Sequence, residues 1–154
     1  MAEWRGAMQA EMRTLHSAAT ALAYGGTAQL TPSRRGRLGA RLRQQYDYLS
    51  AFALDYAQGR LSPAQAQARA QLYGVAVHAA FATARGEAAH DRGATHERNV
   101  LGPAEHSCPG CLAETARGLV PLGELVPVGQ RQCVMRCLCS LVYETRPAAV
   151  GTRA

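Results

Sequence analysis

Five cysteines, Cys108, Cys111, Cys133, Cys137 and Cys139, carry the strongest chemical signal in the chain. The first two stand in Cys108-Pro109-Gly110-Cys111. Two thiolates separated by two residues can turn inward onto one ion, and the glycine permits the tight turn that aims backbone N–H groups at the sulfurs. Cys137 and Cys139 are two apart on an expected strand, which points both to one face. Two such pairs supply four thiolates, the usual closed tetrahedral set for zinc. Five thiols then compete for four places. Cys133 can replace Cys137 or Cys139, or be a spare buried thiol, and His106 is a further candidate ligand. A closed four-cysteine site leaves no coordination position for water, so a structural zinc is expected rather than a catalytic one. It would fix a region of roughly 40 residues too small to fold on its own core.

Other uses of these thiols fit less well. A thioredoxin-like dithiol should follow a βαβ pattern, and none precedes this one. Disulfides belong to oxidising compartments, but Met1–Ala10 is polar and contains Glu3 and Arg5, unlike a secretory signal. No run of about 18 apolar residues is present to span a membrane. The longest apolar candidate, around Val75–Ala84, is interrupted by His78. Cytosolic assembly and reduced thiols are therefore expected. His106 beside Cys108 is the one nucleophile–base pair suggested by sequence, and adjacency in sequence does not make an activated nucleophile. No enzymatic activity is expected.

The elements that must position these residues follow from composition and period. The chain has 154 residues, 47% of them apolar, with two phenylalanines, one tryptophan and no isoleucine. That suits about one domain, or one domain plus a small appendage, with a core of Ala, Leu and Val that favours packed helices. A first helix is expected over 3–23, where Trp4, Met8, Met12, Leu15, Ala19 and Leu22 recur at steps of three and four. Gly25-Gly26 ends it. Thr31-Pro32 caps a second helix over 32–58, with Leu38, Leu42, Tyr46, Leu49, Ala53 and Tyr56 on one face. Ser62-Pro63-Ala64-Gln65 is a capping box opening a third, over 63–91, with Ala66, Ala70, Tyr73, Val77, Ala80, Phe81 and Ala84 as its stripe. The fold expected is mainly α: an antiparallel helical hairpin or three-helix bundle over 1–92, followed by a small zinc-stabilised β-rich module. His16 and His78 fall on or beside apolar faces and read as core or boundary histidines.

From Gly93 the period breaks, and 93–107 reads as a linker. The zinc module is expected over 108–146, its patterning β-like rather than helical. Gly118-Leu119-Val120-Pro121 and Cys139-Ser140-Leu141-Val142-Tyr143 read as short strands. The remainder, 147–154, reads as a loose tail.

The formal charge is +6, and all seventeen basic residues are arginine. Six of them lie between Arg34 and Arg60, against two carboxylates. Arg34, Arg35, Arg37, Arg41 and Arg43 are candidate contacts to nucleic acid or an acidic partner, though such a row is more often a solvated helix face. No aromatic–basic pattern of an RNA-binding sheet accompanies it. A small nucleic-acid-binding regulator of zinc-ribbon type is the alternative that this charge supports.

The cysteine region also resembles the C-terminal segment of head morphogenesis proteins of tailed bacteriophages, the Mu-type minor head proteins. The likeness lies in His106-Ser107-Cys108-Pro109-Gly110-Cys111, then Gly118-Leu119-Val120-Pro121-Leu122-Gly123-Glu124-Leu125, Gly129, and Cys133, Cys137 and Cys139. That family ends on an asparagine-cysteine-arginine-cysteine element. Here it reads Arg136-Cys137-Leu138-Cys139, so the thiols are kept and the other two side chains differ. The stretches Gly39–Phe52 and Gly59–Phe81 are similar to small phage structural proteins associated with this module. The resemblance implies a virion component, assembled in the host cytoplasm, oligomeric in the particle, with portal, capsid or head-tail proteins as partners and packaged DNA as a further contact. It implies no reaction and no membrane.

Overall fold

The computed structural model describes residues 2–103, 107–134 and 137–147. The described chain is mainly helical, with a small three-stranded antiparallel sheet and a cysteine cluster towards the C-terminus. It divides into two compact units, Met1–Arg85 and Gly86–Ala154.

The first unit is built from helix α1 (Ala2–Tyr24), a single 3-10 turn at Thr27–Gln29, helix α2 (Pro32–Ala57) and helix α3 (Pro63–Asp91) as far as Arg85. The starts follow the expected chemistry. Thr31 accepts a hydrogen bond from the Arg34 N–H, with Pro32 in the first turn. At α3 the Ser62 N–H donates to Gln65 Oε1 (2.9 Å) and the Gln65 N–H to Ser62 Oγ (3.3 Å), a reciprocal capping box. Asp55, near the end of α2, accepts from Arg60 (2.6 Å) and from Arg69 on α3 (2.8 Å). Those hydrogen bonds, Arg60's first, hold its carboxyl below the ordinary value.

Met12, Leu49, Phe52 and Tyr73 form the buried core of this unit, with Met8, Tyr46, Leu61, Ala66 and Ala70 packed around them. Trp4 meets Phe52 edge-on at 5.9 Å between centroids. One expectation needs correcting here. The stripe drawn through Leu15 and Leu22 is not the packing face of α1, since these residues are 43% and 72% exposed. The row that is covered runs in steps of four through Met8, Met12, His16, Thr20 and Tyr24, the ridge that helix–helix packing uses. His16 lies in that core row, while His78 is half-buried. Neither ring nitrogen of His16, nor the Thr20 hydroxyl, has a hydrogen-bond partner among the described residues. Burial first, and Arg41 second, push the His16 pKa below 6.5.

The second unit takes the last residues of α3 and adds strand β1 (His96–Val100), helix α4 (Pro109–Ala116), strand β2 (Val120–Pro121) and strand β3 (Ser140–Glu144). Two further expectations are corrected. Residues 93–107 are not simply a linker: β1 lies there and is the central strand, in the order β2-β1-β3. It pairs antiparallel with both neighbours, His96 facing Pro121 on one side and Glu144 on the other. The stretch from Cys108 is not wholly β-like either, because Pro109–Ala116 is helical. The tail beyond 147 lies outside the described residues.

β1 escapes a hydrophobicity reading because its buried face is polar. Glu97 is 3% exposed and Asn99 5%. The Glu97 carboxylate accepts the backbone N–H groups of Gly123 (3.0 Å) and Leu125 (2.9 Å), so it holds the loop after β2. The period-2 alternation of a strand is present, but it is written in polar side chains that are each satisfied. Among the described residues no helix is long and apolar enough to cross a membrane.

Candidate metal centre

The cysteines are positioned by α4 and by the chain approaching β3. Cys108 is the N-cap of α4 and Pro109 its first residue. Its sulfur accepts the Cys111 N–H at 3.4 Å, which places the Cys-Pro-Gly-Cys turn at the electropositive helix end. Cys111, one turn in, is buried. Cys137 and Cys139 were expected on a strand; they precede it, in irregular chain before Ser140. They converge with the other thiols through that loop rather than through strand alternation. Val134, next to Cys133, has φ 41°, an uncommon value for a β-branched residue.

All five thiols are free. They form two groups of three, Cys108–Cys111–Cys133 and Cys111–Cys137–Cys139, in each of which the sulfurs lie within 4.8 Å of one another. Cys111 belongs to both. Its sulfur is 3.5 Å from that of Cys133 and 3.7 Å from that of Cys137. Tetrahedral zinc with bonds of about 2.3 Å sets its sulfurs about 3.8 Å apart, so the spacing and the donor type suit a metal ion. His106, the candidate nitrogen ligand, lies outside the described residues.

The thiols are not equivalent. The Cys111 N–H leads in lowering the Cys108 thiol to about 7. Burial pushes the Cys111 thiol up, while a hydrogen bond from Arg131 works against that rise. Burial, with Cys137 and Cys108 beside it, takes Cys133 up to about 11. At Cys137 burial also raises the value, but the Cys139 N–H and the neighbouring thiols outweigh it, and the thiol sits below its ordinary value.

Around Cys111 is a polar shell that the sequence reading missed. Asn99 donates from Nδ2 to the Cys111 carbonyl (3.3 Å) and to Thr115 Oγ1 (2.6 Å), while the Thr115 hydroxyl donates to the same carbonyl (2.9 Å). Arg131 is 6% exposed. It donates from Nε to the Val126 carbonyl (2.8 Å) and from Nη1 to Asn99 Oδ1 (2.7 Å), with Nη1 also 3.8 Å from Cys111 Sγ. Gly102 is a further position of this kind: a Cβ there would run into the backbone of Leu138, between two of the cysteines. None of these residues carries a local motif. The one available signal was a polar alternation in 96–100 beside a cysteine pair.

The arginine row lies on α2, in the first unit. Arg34 donates to the Gln29 carbonyl (2.7 Å) and its guanidinium sits 4.1 Å from the Tyr24 ring centre. Arg35 donates to the Leu30 carbonyl (2.9 Å), and Arg37 to Ser33 Oγ and the Tyr24 hydroxyl. Three of the five candidate contact arginines thus cap and brace the turn before α2. Arg41 is half-buried and Arg43 exposed. The first unit also carries an apolar groove of about 550 Å³ lined by Trp4, Phe52, Tyr56, Pro63, Ala66, Gln67 and Ala70. The chain matches no family model, no curated protein and no solved structure.

Proposed function

We propose that this chain is a structural component of a tailed-phage or prophage virion: a minor head or portal-associated morphogenesis protein, not an enzyme. In this reading a helical bundle carries a C-terminal module closed by a structural zinc ion. The observation that carries the metal reading is the convergence of five thiols around Cys111. Since Cys111 belongs to both groups, it is a ligand in the closed set, and the other three come from Cys108, Cys133, Cys137 and Cys139. The virion reading rests on the motif running from His106 to Cys139, and takes portal, capsid or head-tail proteins as partners. Elemental analysis of the purified chain should give about one zinc per chain, retained until the module is denatured. Sedimentation of lysates from induced hosts should place the protein with particles. Absence of metal sinks the first part; a protein found solely in the soluble fraction sinks the second.

A second reading, a redox dithiol, is favoured by one observation. Cys108 caps a helix with its thiol lowered to about 7, while its partner Cys111 is buried. Against it, Cys133 and Cys137 stand as close to Cys111 as a metal set requires. Stoichiometric zinc in the reduced protein eliminates this reading. A reversible Cys108–Cys111 disulfide in metal-free protein of native stability would support it.

A further inference from the structure

We infer that Arg131 is the charge-compensating and positioning residue of the thiolate centre, setting how tightly the metal is held. This rests on the metal reading above and deepens it.

Arg131 is a permanent cation, 6% exposed, with no carboxylate in ion-pair range among the described residues. Its acceptors are the Val126 carbonyl, the Asn99 amide oxygen and the Cys111 sulfur. Its Nη2 is buried without an acceptor among the described residues. A buried guanidinium surrounded by neutral acceptors alone is costly, so buried cations stand beside compensating negative charge. Among its acceptors in the described residues, the one able to carry negative charge is the Cys111 thiol. A divalent ion with four thiolates carries a net charge of −2, and one guanidinium halves it. The contact is also at the informative sulfur, because Cys111 is shared by both cysteine groups.

Hydrogen bonds to Asn99 and to the Val126 carbonyl hold the Arg131 guanidinium in place. Asn99, on the central strand β1, accepts from Arg131 and donates to the Cys111 carbonyl and to Thr115 on α4. Gly110 within the Cys-Pro-Gly-Cys turn lies beside Arg131, at a distance where an added Cβ would make ordinary contact with the Arg131 Cβ (3.8 Å). Arg131 thus joins the sheet, the helix N-terminus and the sulfur cluster. Partners of this kind around metal ligands typically change affinity by about 10–100-fold when removed.

The test compares zinc affinity, by competition with a chromogenic chelator, for the full-length wild type, Arg131→Gln and Arg131→Lys. Cobalt substitution reports the sulfur-to-metal charge-transfer band, and circular dichroism checks folding. Wild type is expected to bind one ion. Arg131→Gln is expected to keep that stoichiometry with affinity lower by about 10–100-fold and a shifted charge-transfer band. Arg131→Lys, which keeps the charge but not the fork, is expected to recover at least half of that loss on a logarithmic scale. Equal affinity of Arg131→Gln and wild type overturns the inference, as does equal weakness of the Gln and Lys variants, which would mark a merely structural role. If the Gln variant does not fold, the Lys variant decides alone: within about fivefold of wild type supports the inference, and a larger loss overturns it. A wild type without metal overturns the underlying reading instead, and the inference with it.

Discussion

At the scale of single residues, Cys111 is distinguished from the other four thiols. It is the one sulfur common to both groups, the most enclosed by protein, and the one whose carbonyl is held by Asn99 and Thr115. On the proposed zinc reading, five thiols around a four-coordinate ion leave one in reserve, so replacement of a peripheral cysteine can be covered by its neighbour. Replacement of the shared one also leaves four thiols, but it removes the sulfur that joins the two groups. Across the five single Cys→Ser variants, cobalt titration should therefore show the greatest loss of metal affinity for Cys111→Ser. A flat series, or a deeper loss at Cys139→Ser, would contradict the shared role. Cysteine identity and spacing were legible in the sequence because thiols are rare and chemically specific. Arg131 and Asn99 were not, because a buried polar residue has the same letter as a solvated one. Their meaning lies in partners 32 residues apart along the chain.

At the scale of elements, the helices and their caps were the most legible part. Capping residues act within four positions of themselves, as Thr31, Ser62 and Gln65 do. The face that α1 buries was read less well, because His16 and Thr20 replace apolar residues in the packed row. His16 then makes a pH prediction. Its folded pKa lies below 6.5, so above that value both states are neutral and its full contribution is present. As pH falls below 6.5 the unfolded chain takes up a proton that the folded helices resist, and stability is lost until the folded pKa is reached. The slope is at most about 1.4 kcal/mol per pH unit. Urea unfolding followed by helical circular dichroism should weaken between pH 7.5 and 5.5 in wild type, with a smaller decline in His16→Leu. Equal declines would show that other groups govern the dependence.

Strand β1 was invisible for a related reason. A strand whose inward residues are Glu97 and Asn99 gives no apolar alternation, although each is satisfied by the loop or shell it holds. Glu97→Ala leaves the N–H groups of Gly123 and Leu125 without their acceptor. It should cost about 1–3 kcal/mol, measured as faster amide exchange in the β2–β3 region. Unchanged exchange there would show that the loop finds another acceptor.

At the scale of the whole molecule, two units with different sources of order share one chain. The first has an apolar cluster of its own in Met12, Leu49, Phe52 and Tyr73. The second is a small unit of short strands, a polar-faced central strand and a thiol cluster, of the size at which a metal staple commonly supplements the core. On the proposed zinc reading, stripping the metal with a chelator should raise amide exchange through β1, α4 and β3 while leaving the α1 and α2 amides protected. Uniform loss of protection, or none, would contradict this division.

The strand order β2-β1-β3 also sets a schedule. β1 is made first yet sits in the middle, and its ion pair Arg98–Glu144 spans 46 residues. During synthesis at roughly 5–20 residues per second, the hydrogen-bonding edge that β3 covers waits for seconds before β3 is available. An unpaired strand of Val, Ile and Phe would recruit other nascent chains in that interval. A strand reading His-Glu-Arg-Asn-Val attracts little of such company, so the polar face that hides β1 from pattern reading also protects it while it waits on the ribosome.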